Sequence, residues 1–252
     1  MNTIIKVGNL VKRYGELEAV KGISFDVYEG EIFGLLGPNG AGKTTTLEII
    51  ETLREKTSGE VYVDGMSIDK DKQRIKQTIG VQLQSAGYYP NLNLIELIYL
   101  FAGLYNEMVD AQVMLHLVGL EDKAKSKYKE LSGGQKQRFS IATTLINKPK
   151  IIFLDEPTTG LDPQARRNLW GLIREIRDKG ATVVLTTHYM DEAENLCDRV
   201  AIIDSGHIVS IDTPDKLIDH LVASGFERKK EIKKASLEDV FLNLTGKEWK
   251  DE

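Results

Sequence analysis

Gly37-Pro38-Asn39-Gly40-Ala41-Gly42-Lys43-Thr44 follows an apolar run at residues 31–36 and precedes a helical pattern over residues 43–53. Strand, glycine loop, helix is the context in which G-x-x-x-x-G-K-[ST] works as a phosphate loop. The glycines let the backbone curl so that successive N–H groups point inward at phosphate oxygens. The following helix adds its positive N-terminal end. Lys43 is placed to reach the β- and γ-phosphates, and the Thr44 hydroxyl to ligate Mg²⁺. Thr45, next along the same helix start, joins the nucleotide-binding set. The alternative is a Gly-rich turn that merely precedes a helix.

The rest of the chain is consistent with an enzyme built on this loop. It has 252 residues, 41% hydrophobic and 28% charged, the balance of a globular protein. The net charge of -5 gives no reason to expect a nucleic-acid partner. The single cysteine, Cys197, cannot form an internal disulfide and is expected to be a small buried residue. The start does not have signal-peptide form. The longest apolar candidate, residues 92–105, is interrupted by Asn93, Glu96 and Gly103, short of the ~18 residues a bilayer span needs. The expectation is a cytoplasmic protein that, if it works at a membrane, is held there by another chain.

Outward from the loop, residues 4–10 and 20–27 pattern as strands around a turn at Tyr14-Gly15. Residues 60–63 and 79–83 are further short strands. From about residue 89 to 147 apolar residues recur at helical spacing, as at Leu94, Leu97, Ile98 and Phe101 and again at Val113, Leu117 and Leu120. This predicts a helical lobe inserted in an α/β core. Residues 151–154 are a buried strand, 165–177 a helix and 182–186 a strand. Residues 200–203 and 207–211 form a hairpin around Ser205-Gly206. Short helices are predicted near residues 216–222 and 237–244, joined by a charged linker at 227–234. The expected domains are therefore 1–212 and a short helical extension, 213–252.

Two further segments carry chemistry. Ile151-Ile152-Phe153-Leu154-Asp155-Glu156 ends a buried strand in two acids, at the edge where open α/β sheets bind ligands. Asp155 is placed to hold Mg²⁺ and Glu156 to activate a water. Solvated turn residues are the alternative, weakened by the phosphate loop nearby. Leu131-Ser132-Gly133-Gly134-Gln135 opens a helix and forms either a second anion nest or an ordinary Ser cap.

With these motifs in this order, the sequence resembles the nucleotide-binding subunit of an ATP-binding cassette (ABC) transporter, from Val7 to about Ile211. Residues 37–44 resemble the Walker A loop, 131–135 the ABC signature and 151–156 the Walker B strand. Gln84 falls at the Q-loop position, Thr159-Gly160-Leu161-Asp162 resembles the D-loop, and Thr186-Thr187-His188 the switch histidine. Tyr14 sits where the family stacks an aromatic on adenine, although a plain turn tyrosine is the alternative. Asp162-Pro163 is also a good helix start.

The resemblance implies an α/β fold: a P-loop NTPase core of mixed β-sheet with flanking helices, an N-terminal antiparallel β subdomain and the inserted helical lobe. It implies ATP and Mg²⁺ as cofactors and a head-to-tail homodimer. Each ATP would lie between one Walker A loop and Ser132, Gly134 and Gln135 of the other copy. Glu156 would be the general base, His188 would contact the γ-phosphate, and Gln84 would sense Mg²⁺. Asp162 would act across the dimer. Residues 87–92, rich in aromatics, would either line a groove for a helix of the membrane subunit or pack inside the lobe.

The run Thr187-His188-Tyr189-Met190-Asp191-Glu192-Ala193-Glu194 and the tail at 235–246 resemble drug- and polysaccharide-export ATPases. A separate transmembrane permease, with this subunit peripheral on the cytoplasmic face of the membrane, is the implied partner. A soluble cassette ATPase with a regulatory or resistance role is the alternative.

Overall fold

The computed structural model describes residues 2–82 and 87–226. Gln84 and the helix expected at 237–244 lie outside the described residues. By internal contacts the chain divides into residues 1–217 and 218–252.

The chain opens with a long antiparallel pair, β1 (Thr3–Tyr14) and β2 (Leu17–Tyr28). Alternate residues face inward, with Ile5, Val7, Val20, Ile23, Phe25 and Val27 buried. Then come β3 (Ile32–Leu36), α1 (Lys43–Ile50), β4 (Ser58–Val63), β5 (Met66–Ser67), α2 (Lys72–Thr78) and β6 (Ile79–Gln82). The helical lobe follows as α3 (Leu94–Tyr105), α4 (Ala111–Leu117), two short 3₁₀ turns and α5 (Gly133–Thr144). The chain returns through β7 (Ile151–Asp155), α6 (Pro163–Asp178), β8 (Thr182–Thr187), α7 (Met190–Leu196), β9 (Arg199–Asp204) and β10 (His207–Asp212). The last element is α8 (Pro214–Ala223).

One sheet is antiparallel, in the order β2-β1-β4-β5. The other runs β10-β9-β3-β8-β7-β6 and is parallel from β9 to β6, with β10 antiparallel at its edge. This is the mixed α/β architecture expected from the sequence, with its antiparallel subdomain and helical lobe. The parallel sheet is the middle layer, and its central strands alternate between two cores. Phe33, Leu35, Ile151, Phe153 and Val184 pack with Leu47 and Ile50 of α1. Ile32, Leu36, Ile152, Leu154, Val183 and Leu185 face α6, α7 and the lobe helices. Burial on both faces explains why these strands are continuous apolar runs rather than alternating ones.

Three expectations need correction. The helix after the phosphate loop stops at Ile50 rather than Leu53, because Thr52 takes a left-handed φ of 63°. α2 and α7 were not foreseen; both are seven residues long and weakly patterned. In α4 the inward face is Ala111, Met114 and Leu115, followed by Val118 beyond its end, while Val113 is 55% exposed. Spacing of three and four from Ala111, not from Val113, sets that face. Tyr88 of the aromatic segment packs inside the lobe against Phe101, Tyr128 and Phe139, and its hydroxyl bonds Ser140 and Thr143. Tyr89 stays exposed.

Candidate functional site

Neighbouring parallel strands deliver the site from their carboxyl ends, where ligands bind in open α/β sheets. Leu36, the last residue of β3, pairs with Thr187 of β8, and Asp155 of β7 pairs with Thr186. The phosphate loop therefore begins beside the two acids and His188.

Backbone contacts fix the loop. Gly37 N–H donates to Thr187 O at 3.2 Å. A Cβ on Gly37 would stand 2.1 Å from Ile203 O of β9, so only glycine lets the loop leave the sheet there. Gly42 is left-handed at φ 101°, and its Cβ would meet Ala19 O at 2.6 Å. Among the described residues no hydrogen bond is found from the N–H groups of Gly40, Gly42, Lys43, Thr44 or Thr45. These are free donors at the positive end of α1, the donor set an anion such as a polyphosphate requires. They open on a cleft of about 430 Å³ whose walls also include Tyr14, Asn39 and Glu156.

The charged groups converge on the same point. Lys43 is buried, its Nζ donating to Gly37 O at 2.8 Å and Pro38 O at 3.0 Å and standing 3.6 Å from Glu156 Oε1. Thr44 Oγ1 donates to Asp155 Oδ1 at 3.1 Å. Thr186 Oγ1 donates to the same carboxylate oxygen and accepts from Glu156 N–H at 3.0 Å. Glu156 holds a left-handed φ of 47°, a strained conformation for a residue with a Cβ. That turn lets consecutive acids separate: Asp155 lies against Thr44, while Glu156 reaches Lys43 and comes within 3.2 Å of His188 Nδ1. The Nδ1 atom is buried and makes no hydrogen bond of good geometry among the described residues.

Burial raises the Asp155 carboxyl above its ordinary range, opposed by hydrogen bonds from Thr186 and Thr44 and reinforced by the charges of Glu156 and Glu48. A divalent cation would supply the missing counter-charge. A hydroxyl and a carboxylate side by side are hard oxygen donors that suit Mg²⁺, which completes its shell with water and phosphate oxygens. Glu51, at the C-terminal cap of α1, is 2% exposed; burial first, then Asp155 and Glu48, push its carboxyl up to about 8.

Not every predicted residue joins this cluster. Tyr14 lines the cleft and is 38% exposed, and its ring also carries Lys12 Nζ at 4.9 Å and Arg54 Cζ at 5.4 Å. Ser132, Gly134 and Gln135 do not line the cleft. Ser132 caps α5 in a reciprocal box: its Oγ accepts from Gln135 N–H at 3.3 Å, and Gln135 Oε1 accepts from Ser132 N–H at 3.0 Å. Asp162 caps α6 by accepting from Ala165 N–H at 2.8 Å. Cys197 is buried beneath Gly34, and burial pushes its thiol far up, which leaves it unreactive.

Sequence reasoning placed two threonines within motifs but gave neither a role of its own. Thr186 holds both acids, and Thr159 Oγ1 donates to Glu156 Oε2 at 3.2 Å. Two adjacent threonines ending a fully buried strand beside the acid-tipped one were the available clue.

The family model described as ABC transporter matches residues 20–159, more than half of the 252. The linearmycin resistance ATP-binding protein LnrL of Bacillus subtilis (strain 168) is 40% identical over 223 residues, covering 86% of this chain and 72% of that protein. The Nod factor export ATP-binding protein I of Burkholderia orbicola (strain AU 1054) is 36% identical, covering 96% and 97%. Among solved structures, the dimer of an ATP-binding cassette in a post-hydrolysis state, bound to ADP and Pi, superposes with a TM-score of 0.74. It is 31% identical to this chain, with 83% of this chain and 98% of that one covered.

Proposed function

The chain belongs to the ABC transporter family, and on that footing we propose that it is the Mg²⁺-dependent ATPase subunit that drives export through a separate membrane-spanning chain. The observation that carries this is the convergence of Lys43, Thr44, Asp155, Glu156 and His188 beside a loop of free N–H donors.

In this reading Lys43 and the loop N–H groups hold the β- and γ-phosphates, and Tyr14 takes one face of adenine. Thr44 and Asp155 hold Mg²⁺ with help from Gln84, and the bound ion screens charge on the phosphates. Glu156 accepts the proton of the attacking water while His188 donates to the γ-phosphate. ATP also displaces Glu156 from Lys43, because the lysine then turns to phosphate oxygens. Ser132, Gly134 and Gln135 complete the site from a second, head-to-tail copy. Their absence from the cleft of a single chain and their place at the start of α5 support this. We take residues 1–212 as the ATPase domain, with the lobe at about 89–147, and 213–252 as an extension.

No helix among the described residues is long and apolar enough to cross a membrane. Peripheral attachment to the cytoplasmic face through the permease follows from the export reading, which the name of the Burkholderia orbicola relative supports. The test is recovery of the tagged chain from detergent-solubilised membranes. A co-purifying polytopic membrane protein is expected, with Mg²⁺-dependent ATPase activity in the complex. Recovery of a fully active chain alone, from the soluble fraction, would overturn the transport role in favour of a regulatory or resistance one.

A further inference from the structure

We propose that Tyr189 and Arg166 are positioning residues for His188, which tie the imidazole to the helix that follows the D-loop. The inference rests on the reading of His188 as the γ-phosphate contact.

His188 leaves the end of β8 without a well-formed hydrogen bond to its Nδ1 among the described residues. A ring in that condition turns about its side-chain torsions unless packing stops it. The packing comes from the next residue. The rings of His188 and Tyr189 have centroids 4.1 Å apart and planes tilted by 39°. The Tyr189 backbone is itself pinned, its N–H donating to Thr187 Oγ1 at 3.0 Å.

Tyr189 is held in turn by a cation. The Arg166 guanidinium carbon lies 4.4 Å from the centre of its ring. A planar guanidinium is suited to such a stack, where an ammonium would act only as a point charge. Arg166 is fixed from two sides: its Nη1 is 2.9 Å from Asp191 Oδ2, and its backbone N–H donates to Asp162 O in the first turn of α6. A continuous set of contacts therefore runs from Asp162 through Arg166 and Tyr189 to His188, and from there to Glu156. A shift of the segment ending at Asp162 moves the guanidinium, and the stack carries that shift to the imidazole.

The test uses the full chain with Mg²⁺-ATP. Tyr189→Ala and Arg166→Met should each lower kcat by roughly 10- to 100-fold, the cost of a slightly misplaced catalytic group. ATP affinity should change by less than about twofold, because neither residue lines the cleft at the loop. Tyr189→Phe keeps the ring and should restore turnover, since no hydrogen bond of the Tyr189 hydroxyl is found among the described residues. In NMR spectra the His188 Hε1 resonance should be displaced upfield by the tyrosine ring, lose that displacement in Tyr189→Ala and keep it in Tyr189→Phe. Wild-type kcat in both Tyr189→Ala and Arg166→Met would overturn the proposal, as would a Tyr189→Phe variant as slow as Tyr189→Ala. His188→Ala separates the two levels. Full turnover in that variant removes the histidine reading itself; lost turnover there with normal Tyr189→Ala and Arg166→Met removes only the positioning role.

Discussion

Thr186→Val isolates the residue that organises both acids. Thr186 is fully buried. Valine nearly matches its shape but can neither donate nor accept, so the exchange is a polar deletion rather than a cavity. Glu156 N–H loses its acceptor at 3.0 Å, a buried donor left unpaired at a cost of about 1–3 kcal/mol. Asp155 Oδ1 loses one of its two hydroxyl donors, a bond to a charged group worth about 1.5–3 kcal/mol. The added buried methyl returns about 1 kcal/mol. The nucleotide-free protein should therefore lose about 1.5–5 kcal/mol, measured by urea denaturation near neutral pH. With Thr186 no longer opposing burial, the Asp155 carboxyl should rise further. The Mg²⁺ concentration giving half-maximal ATPase rate should rise about 10- to 100-fold, as for loss of a group that orients a metal ligand. Thr186→Ser retains the hydroxyl and should stay close to wild type. A valine variant within about 0.5 kcal/mol of wild type, with unchanged Mg²⁺ dependence, would refute the reasoning.

Two other perturbations test the loop and its surroundings. Gly40 has a φ of 81° with open space around its Cβ position, so Gly40→Ala should cost only the left-handed strain, about 1–2 kcal/mol. Gly37→Ala drives a Cβ to 2.1 Å from Ile203 O and should cost clearly more, about 3 kcal/mol, with lost ATP binding. Equal melting temperatures and ATP affinities for the two variants would show that the loop is not confined as described. Glu51 titrates at about 8 when folded and at its ordinary 4.5 when unfolded. Between those values the folded state holds a proton that the unfolded state has released. Stability therefore falls as pH rises through that window, by on the order of a few kcal/mol. Glu51→Gln should flatten the loss, and a denaturation series from pH 5 to about 8 that is equally steep in both proteins would contradict it.

The strands and long helices were legible because their burial leaves a pattern in the sequence. β3, β7 and β8 are buried at every position, and α6 alternates sharply between buried and exposed sides. The phosphate loop and the acids were legible because their chemistry admits few residue types. α2 and α7 were not, since helices of seven residues show less than two full repeats of 3.6. The left-handed turn at Glu156 was hidden too, because glutamate does not advertise a positive φ as glycine does. Thr186 drew no role of its own because a threonine among others in a buried strand reads as a β-branched strand residue until its two partners are seen across the sheet. The capping box at Ser132 shows why local pattern alone could not choose between nest and cap: the same hydroxyl closes the helix in the single chain.

The central claim is that ATP on the loop closes two copies of this chain around a site that Glu156 then empties. The most direct measurement is analytical ultracentrifugation of Glu156→Gln with and without Mg²⁺-ATP. Turnover in that variant should fall by roughly 10²–10⁴-fold, the contribution of a general base, so that bound ATP persists. The account predicts a monomer without nucleotide, a stable dimer with it, and a monomer again when Ser132→Arg is added. A nucleotide-saturated Glu156→Gln protein that stays monomeric, or a dimer that survives Ser132→Arg, would contradict it.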